Sequence, residues 1–432
     1  MEESRKVSSW ELYLDGLDEG TSECPVEENE SVQGEGKWKK GAEQERLGDL
    51  RRLLWKKKSA EIQEVARIRR MKSDFEETGL DESDSLVQMA IEYRESWKSE
   101  WHGLYGRFED VTINSAAATG LKSNSVGPFA AMILPMRYTY QHAPPLARTC
   151  KSLQIYSAKV ENVTGLSWPL HVFGMVAARD MVDHNRNFVF YRTRNNCQTL
   201  TEADPYLVLT GPTRAVVMED VTMLEVCLKV KGDTENEDKL LCYDCWGVLP
   251  DSPHISQWTI PLEPIRLGIS SVHVSLSAEE VLSSVEATIF VRVVEGSWPE
   301  GFHGHFGASS RSMFSSSHTN GFPEVILLDF GADKVPVGRD GYMNLSRHVV
   351  SVSVDESLKV HFMASRDDKA VKVGGDDSEV VKAEVLLMPE EAGRSYANFC
   401  FGSCVMEVLV AWSLVLPEPQ PDVPDSFEGY LD

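Results

Sequence analysis

Hydrophobic positions change their spacing about a third of the way along the chain. Between residues 47 and 101, apolar side chains recur every three or four residues, which is the repeat of an amphipathic helix. From residue 153 to residue 416 they alternate with polar side chains, for example over 224–230 and 285–293, and this alternation is typical of half-buried strands. The pattern therefore predicts a helical N-terminal part followed by a mainly β domain.

The predicted strands are short and are separated by turns rich in Gly, Pro and Asp. Since no helix-length segment lies between them, the pattern favours an antiparallel β-sandwich, or a barrel-like variant, over a parallel α/β sheet. Two interruptions are expected: a short helical turn at 278–284 and a long flexible loop over the serine-rich segment 307–320.

The helical part contains two segments. The first is a basic amphipathic helix, and the second carries the aromatic side chains Tyr93, Trp97 and Trp101 at helical spacing. An aromatic stripe of this kind usually packs against a core, so we expect the second helix to dock onto the β domain.

Charge divides the chain further. Residues 1–36 hold 11 acids and 2 bases, whereas residues 37–72 hold 13 bases and 5 acids. The acidic segment has too few apolar residues to fold alone. Five parts are predicted: a disordered acidic segment 1–36, two amphipathic helices in 37–110, a linker 111–150, the β-sandwich domain 151–416 and an acidic, proline-rich tail 417–432.

The overall composition excludes several classes of protein. A formal net charge of −24 excludes a globally basic nucleic-acid binder. The longest apolar run, 405–416, is too short to cross a bilayer and contains Glu407. The chain opens with Met1-Glu2-Glu3, unlike a signal peptide. We therefore expect a soluble, non-secreted protein, cytoplasmic or nuclear, with no membrane partner.

The basic segment 37–72 has several interpretations. Its lysine and arginine clusters are compatible with RNA binding, a nuclear import signal or contact with an anionic membrane. The alternative is a solvated helix face that the acidic N-terminus neutralises.

The densest polar cluster lies between residues 179 and 214. Arginines and amides there supply donors for an anion or for a partner's carboxylates. The same Asp, Asn, Gly and Pro residues are also what tight turns require, so turn chemistry is the alternative interpretation. The candidate ligand- or partner-binding residues are Arg179, Asp180, His184, Arg186, Arg192, Arg194 and Arg214.

No catalytic or metal-binding motif is complete. Glycine-rich phosphate loops, HExxH and GxSxG are missing, so we predict no catalytic residue and no cofactor. Cys242 and Cys245 point to opposite faces if they lie on one strand, which favours buried thiols over a zinc site. His303 and His305 have no third ligand nearby in the sequence, and no metal site is predicted.

Several segments of the β domain resemble a known family. LQIYSAKVENVTG from residue 153, DPYLVLTGPTRAV from residue 204, LSRHVVSVSV from residue 345 and MEVLVAWSLV from residue 406 resemble an uncharacterised plant domain that is abundant in grasses and catalogued as a domain of unknown function. The resemblance covers about residues 150–416 and implies no catalytic residue.

The same resemblance brings in a second family. Some relatives are fused behind ribosome-inactivating rRNA N-glycosidase domains. The tetrapeptide at 391–394 departs from the toxin's catalytic motif, because Ser395 stands where that motif has an aromatic residue.

The sequence thus favours a non-catalytic β-sandwich interaction module with one or more protein partners. The alternative is a defence- or translation-related protein that associates with RNA or ribosomes through the basic segment.

Overall fold

The structure is a computed structural model that describes residues 46, 49, 50, 85–105, 107–109, 135–139, 143, 145–161, 163, 165–250, 258–261, 273–312, 323–332, 336–367 and 378–416. The chain divides into two units, Met1–Gly36 and Lys37–Asp432, and all described residues belong to the second. The predicted acidic segment, most of the predicted basic helix and the predicted tail lie outside the described residues. The five predicted segment boundaries stay predictions.

The described residues include one long helix, two 3-10 helices (Arg194–Asn196 and Glu235–Glu237) and sixteen strands. The helix α1 spans Ser85–Tyr105. The strands are β1 (Cys150–Glu161), β2 (Leu170–Arg179), β3 (Asn187–Arg192), β4 (Gln198–Leu200), β5 (Val216–Val217), β6 (Thr222–Val230), β7 (Lys239–Val248), β8 (Trp258–Pro261), β9 (His273–Glu295), β10 (His303–Ser312), β11 (Val325–Phe330), β12 (Val349–Ser353), β13 (Glu356–Asp367), β14 (Ser378–Leu387), β15 (Ala392–Phe401) and β16 (Cys404–Ser413). Among the described residues, no helix is both long enough and apolar enough to cross a membrane.

The strands form three sheets. A seven-stranded sheet has the order β15-β16-β9-β1-β5, with β8 and β12 also paired to β9. A four-stranded sheet has the order β11-β10-β13-β14, and a five-stranded sheet has the order β3-β2-β6-β7 with β4 beside β2. The pairs between these strands are antiparallel. The predicted mainly β, antiparallel fold is confirmed.

The two largest hydrophobic cores of the described residues lie between the sheets. The first core is filled from β1, β2, β6 and the start of β9, and the second from the end of β9 together with β10, β13 and β16. The alternating apolar positions of the sequence face these cores, as Leu224 and Val226 of β6 face the first. Sheets packed face to face across an apolar layer are the arrangement of a sandwich.

β9 is the element that both cores share. Val274 and Leu276 lie in the first core, whereas Ala287 and Ile289 lie in the second. The inward positions change from even to odd numbers between them, around Ser283, whose φ of 46° is unusual for a residue other than glycine. The predicted helical turn at 278–284 is therefore wrong, because this segment is an irregular part of β9.

The serine-rich segment also differs from its prediction. Residues 307–312 belong to β10, so the predicted loop is wrong there; residues 313–320 lie outside the described part. β10 pairs with β11 on one side and β13 on the other, and Phe306 and Ala308 face the second core. Backbone pairing on both sides makes this segment a strand despite its small, polar side chains.

Part of the predicted linker packs into the domain. Met136 is buried with Leu50 from the predicted basic helix, against Phe290 and Leu409. The Met136 N–H donates to Glu286 Oε1 over 2.8 Å. Residues 135–139 are thus fixed against the seven-stranded sheet.

Candidate functional site

The polar cluster predicted from the sequence separates into a buried and a peripheral part. Arg179, Asp180, Arg186 and Arg214 are at most 2% exposed, whereas Arg194 is half-buried. Burial of this kind requires a partner for each charge, since an unpaired buried charge is strongly destabilising.

Arg214 is paired with two aspartates. Its Nη1 donates to Asp180 Oδ2 over 2.6 Å and its Nη2 to Asp180 Oδ1 over 2.7 Å, a bidentate arrangement. Nη2 also donates to Asp183 Oδ1 over 3.1 Å. Burial by itself would lower the pKa of Arg214, but the two carboxylates outweigh it and raise that pKa. The pKa of Asp183 is raised, chiefly by burial.

Arg179 and Arg186 share one carboxylate. Arg179 Nε donates to Glu225 Oε1 and Arg186 Nε to Glu225 Oε2, each over 2.5 Å. Burial alone would raise the pKa of Glu225, yet the two arginines hold it below its ordinary value. Glu225 lies on β6 between Leu224 and Val226, which face the first core, so its side chain lies on the outer face of the five-stranded sheet. The sequence did not point to Glu225, because it is 46 residues from Arg179.

α1 and the residues directly after it, 107–109, pack onto these arginines. The Arg179 guanidinium lies 5.3 Å from the ring centroid of Trp97 and 4.1 Å from that of Phe108, while Arg186 lies 5.0 Å from the Phe108 ring. Arg179 Nη2 also donates to the Phe108 carbonyl. The two arginines therefore bind aromatic faces on one side and a carboxylate on the other.

His184 provides the remaining contact with the helix. Trp101 stacks on the His184 ring at 3.9 Å between centroids and 11° between planes. The His184 carbonyl accepts hydrogen bonds from Trp97 Nε1 over 3.0 Å and from Arg179 Nη1 over 2.9 Å. The docking predicted from the aromatic stripe is confirmed. We call Arg179, His184, Arg186 and Glu225 the helix-binding face.

Local turn chemistry sets the shape of this loop. Asp180 Oδ1 accepts the Val182 N–H over 3.1 Å and Asp183 Oδ1 accepts the Asn185 N–H over 3.1 Å. His184 has a φ of 51°, in the left-handed region. Burial lowers the pKa of His184 to about 4, so the ring is neutral at pH 7.

Arg192 and Arg194 lie apart from this face. Arg194 Nε donates to Asp238 Oδ2 over 2.9 Å, and its Nη2 donates to the Gly232 carbonyl over 2.8 Å. Arg192, at the end of β3, has a buried Nε with no hydrogen-bond partner among the described residues. The structure thus brings five of the seven candidate residues together, Arg179, Asp180, His184, Arg186 and Arg214. Their role toward an external ligand or partner stays a prediction.

Cys242 and Cys245 lie on β7, Cys400 on β15 and Cys404 on β16. Cys242 and Cys245 are free thiols on β7, and Cys242 faces the first core. Burial raises the pKa of both thiols. Cys400 is disulfide-bonded.

A second polar cluster lies on the outer face of the four-stranded sheet. His305 on β10, Glu324 just before β11 and His361 on β13 place their nitrogen and oxygen atoms within 4.8 Å of one another. Sequence reasoning missed it because the three residues span 56 positions and meet only through strand pairing. Their spacing carries no signal, since the pairing of β10 with β13 was not predicted.

Comparison with family models identifies the β domain. The model of DUF6598, a domain of unknown function, matches residues 152–410, and the chain therefore belongs to this family. The match includes the helix-binding face and the second polar cluster, but α1 lies outside it.

Comparison with solved structures finds human GIVD cytosolic phospholipase A2. One structure of that enzyme is 11% identical with a TM-score of 0.20, covering 63% of this chain and 33% of that chain. A second, in complex with methyl gamma-linolenyl fluorophosphonate, is 11% identical with a TM-score of 0.20, covering 63% of this chain and 34% of that one. This chain thus covers only about a third of the matched chains, and at such TM-scores the likeness carries no argument about fold or function. No curated protein matches the chain.

Proposed function

We propose that this chain is a non-catalytic interaction module whose β domain binds an amphipathic, aromatic helix of a partner protein. The observation that supports it most is the pair of arginines held by Glu225 beneath Trp97 and Phe108. In this chain, α1 occupies that face.

The helix-binding face has the properties of a pre-organised receptor. Its guanidinium groups are fixed by a shared carboxylate, so little side-chain entropy is lost when an aromatic ring covers them. A desolvated cation–π contact contributes about 2 kcal/mol. Arg179 makes two such contacts and Arg186 makes one.

Because α1 covers the helix-binding face, a partner helix has to compete with α1 for it. A segment tethered to its own site is present at an effective concentration in the millimolar range. A partner helix must therefore displace α1, and release of α1 becomes part of binding.

The proposal is tested in the full chain by removing the aromatic side chains of α1 that cover the helix-binding face. We expect a labelled synthetic peptide of residues 85–109 to bind the double variant Trp97→Ala/Trp101→Ala about tenfold more tightly than the wild type, by fluorescence anisotropy. The matched control is Glu100→Ala, because Glu100 is exposed on α1. A peptide that carries Trp97→Ala should not bind. Equal peptide binding to wild type and double variant, or none to either, would refute the receptor role.

The non-catalytic part of the proposal has its own support. The buried arginines form ion pairs with Glu225, Asp180 and Asp183. Their charges are therefore neutralised within the protein and do not face a substrate. Turnover of an ester, glycosidic or phosphodiester substrate by the full chain would contradict it if Arg186→Ala abolished that turnover.

RNA or ribosome association, with a role in plant defence, is the alternative favoured by the basic segment 37–72. One arginine of that segment is described: Arg46 contacts Glu407 and Tyr342 of the β domain, which supports the protein-directed proposal. Anisotropy of a labelled RNA at two salt concentrations separates the two. A steep salt slope that disappears when Lys56, Lys57 and Lys58 are changed to Glu in the full chain would favour RNA.

A cytoplasmic or nuclear location is also proposed, supported by the same lysine cluster. A fluorescent fusion of the full chain that leaves the nucleus when these three lysines are replaced would identify the segment as an import signal.

A further inference from the structure

We infer that His305, Glu324 and His361 bind one divalent transition-metal ion of the zinc class on the outer face of the four-stranded sheet. Two imidazoles and a carboxylate are ligands that Zn²⁺ accepts, and three protein ligands leave one position for water. Their candidate ligand atoms all lie within 4.8 Å of one another.

Strand pairing fixes where these side chains stand. β10 lies between β11 and β13, and Gly307 of β10 pairs with His361 of β13. The pairing of β10 with β11 shifts register between Phe306 and Gly307, directly after His305, and Glu324 precedes β11. Such irregularities re-aim side chains and are frequent beside functional sites.

The distances are close to those of a bound ion. His305 Nε2 lies 3.7 Å from Glu324 Oε1, and His361 Nε2 lies 2.9 Å from Glu324 Oε2. Bonds of about 2.0–2.2 Å in a tetrahedral site place ligand atoms roughly 3.3 Å apart. Small side-chain rotations are therefore enough to convert the present contacts into coordination.

Gly307 keeps the centre of the cluster open. A Cβ at this position would lie 2.7 Å from His361 Nε2 and 3.2 Å from Glu324 Oε2. A side chain there would therefore push the His361 ring away. A simple ion pair between His361 and Glu324 would not require His305 beside it.

The three side chains of the cluster are also accessible from solvent. The side chains of His305, His361 and Glu324 are 21%, 16% and 37% exposed, so an ion can reach them from solvent.

Zinc titration of the full chain tests the inference. After treatment with EDTA, the wild type should bind one equivalent of Zn²⁺ at this site by isothermal titration calorimetry. His305→Ala, His361→Ala and Glu324→Gln should each weaken that binding more than about tenfold. His303→Ala is the matched control and should leave it unchanged, because His303 Nε2 instead lies 2.9 Å from Ser365 Oγ.

Gly307→Ala is the sharpest variant, since it keeps all three ligands and should still lose the ion. Circular dichroism checks folding, and the core-facing Phe306 and Phe362 are unchanged in every variant. Cobalt absorption separates this site from the free cysteines, because only thiolate ligands give intense charge-transfer bands. The inference falls if the wild type binds no zinc, if the bound equivalent survives His305→Ala, or if the bound cobalt shows thiolate bands.

Discussion

Arg214 is almost completely buried, and its charge is matched by Asp180 and Asp183. Removing one partner of a buried ion pair leaves an uncompensated charge, which costs more than the pair contributes when intact. Without Arg214, both carboxylates would lose the cation they share. Asp180 also accepts a hydrogen bond from the Val217 N–H.

We predict that Arg214→Ala lowers the free energy of unfolding by about 4 kcal/mol. Arg194→Ala is the control, because Arg194 pairs with Asp238 near solvent and should contribute less than about 1 kcal/mol. Urea denaturation of the full chain measures both. Similar losses for the two variants would show that burial of the Arg214 cluster does not set its contribution.

Buried His184, which packs against α1, makes the stability of the fold sensitive to acid. Its pKa is lowered to about 4 by burial, with Asp180 opposing and Arg179 and Arg214 adding to the shift. Asp220 also opposes it, and the rings of Trp101 and Tyr105 cover the imidazole. Between pH 6.5 and 4 the unfolded chain therefore binds a proton that the folded chain does not.

We predict that this proton destabilises the fold by about 2 kcal/mol as the pH falls from 7 to 4.5, and that raising the pH above 7 adds nothing. The measurement is the urea midpoint at several pH values, compared with His184→Gln. A variant with the same pH dependence as the wild type would assign the effect to another group.

At this scale the sequence shows which residues are charged, and strand pairing decides which of them meet. Residues 179 to 186 were found together because they are neighbours along the chain. Glu225 and Glu324 were missed because their partners lie on other strands. Spacing cannot locate a partner until the sheet order is known.

Among single elements, β2 contains a position that only glycine fits. Gly174 has a φ of 121°, and a Cβ there would lie 2.1 Å from the Cys227 carbonyl oxygen of β6. Both the backbone conformation and the neighbouring strand therefore exclude a side chain.

We predict that Gly174→Ala destabilises the chain by about 4 kcal/mol. Gly402→Ala is the comparison, because Gly402 has a φ of 59° but nothing within 4 Å of its Cβ position, and should cost about 1 kcal/mol. Thermal unfolding followed by circular dichroism measures the difference. Equal losses would mean that β2 and β6 separate easily at this point.

Prediction of elements succeeded where hydrophobic alternation was strong and failed where it was weak. The strand expected over 224–230 is part of β6, Thr222–Val230. β10 was missed entirely, because glycine and serine make up much of it and its stability comes from two neighbouring strands. Ser283 gave no signal of the irregularity that keeps β9 continuous.

At the scale of the whole molecule, β9 runs through both hydrophobic cores and links their unfolding. Leu276 lies in the first core and Ile289 in the second, on one continuous β9. We predict that Leu276→Ala and Ile289→Ala each destabilise the fold by about 3 kcal/mol and shift one common transition. Differential scanning calorimetry decides this, since a thermogram split by either variant would show that the cores unfold independently.

The mainly β, antiparallel class could be predicted from the sequence because a period of two persists over most of 153–416. The division into two cores could not, since it depends on which half of β9 each partner strand joins.

β9 also limits how the length of this chain can change. It pairs with β1, β8, β12 and β16, and adding one residue to a strand moves every following side chain to the opposite face. A single-residue insertion between 285 and 291 would break the register with both β12 and β16 and expose apolar side chains of the second core. Related chains of different length should therefore gain or lose residues in the connections between strands and leave β9 intact.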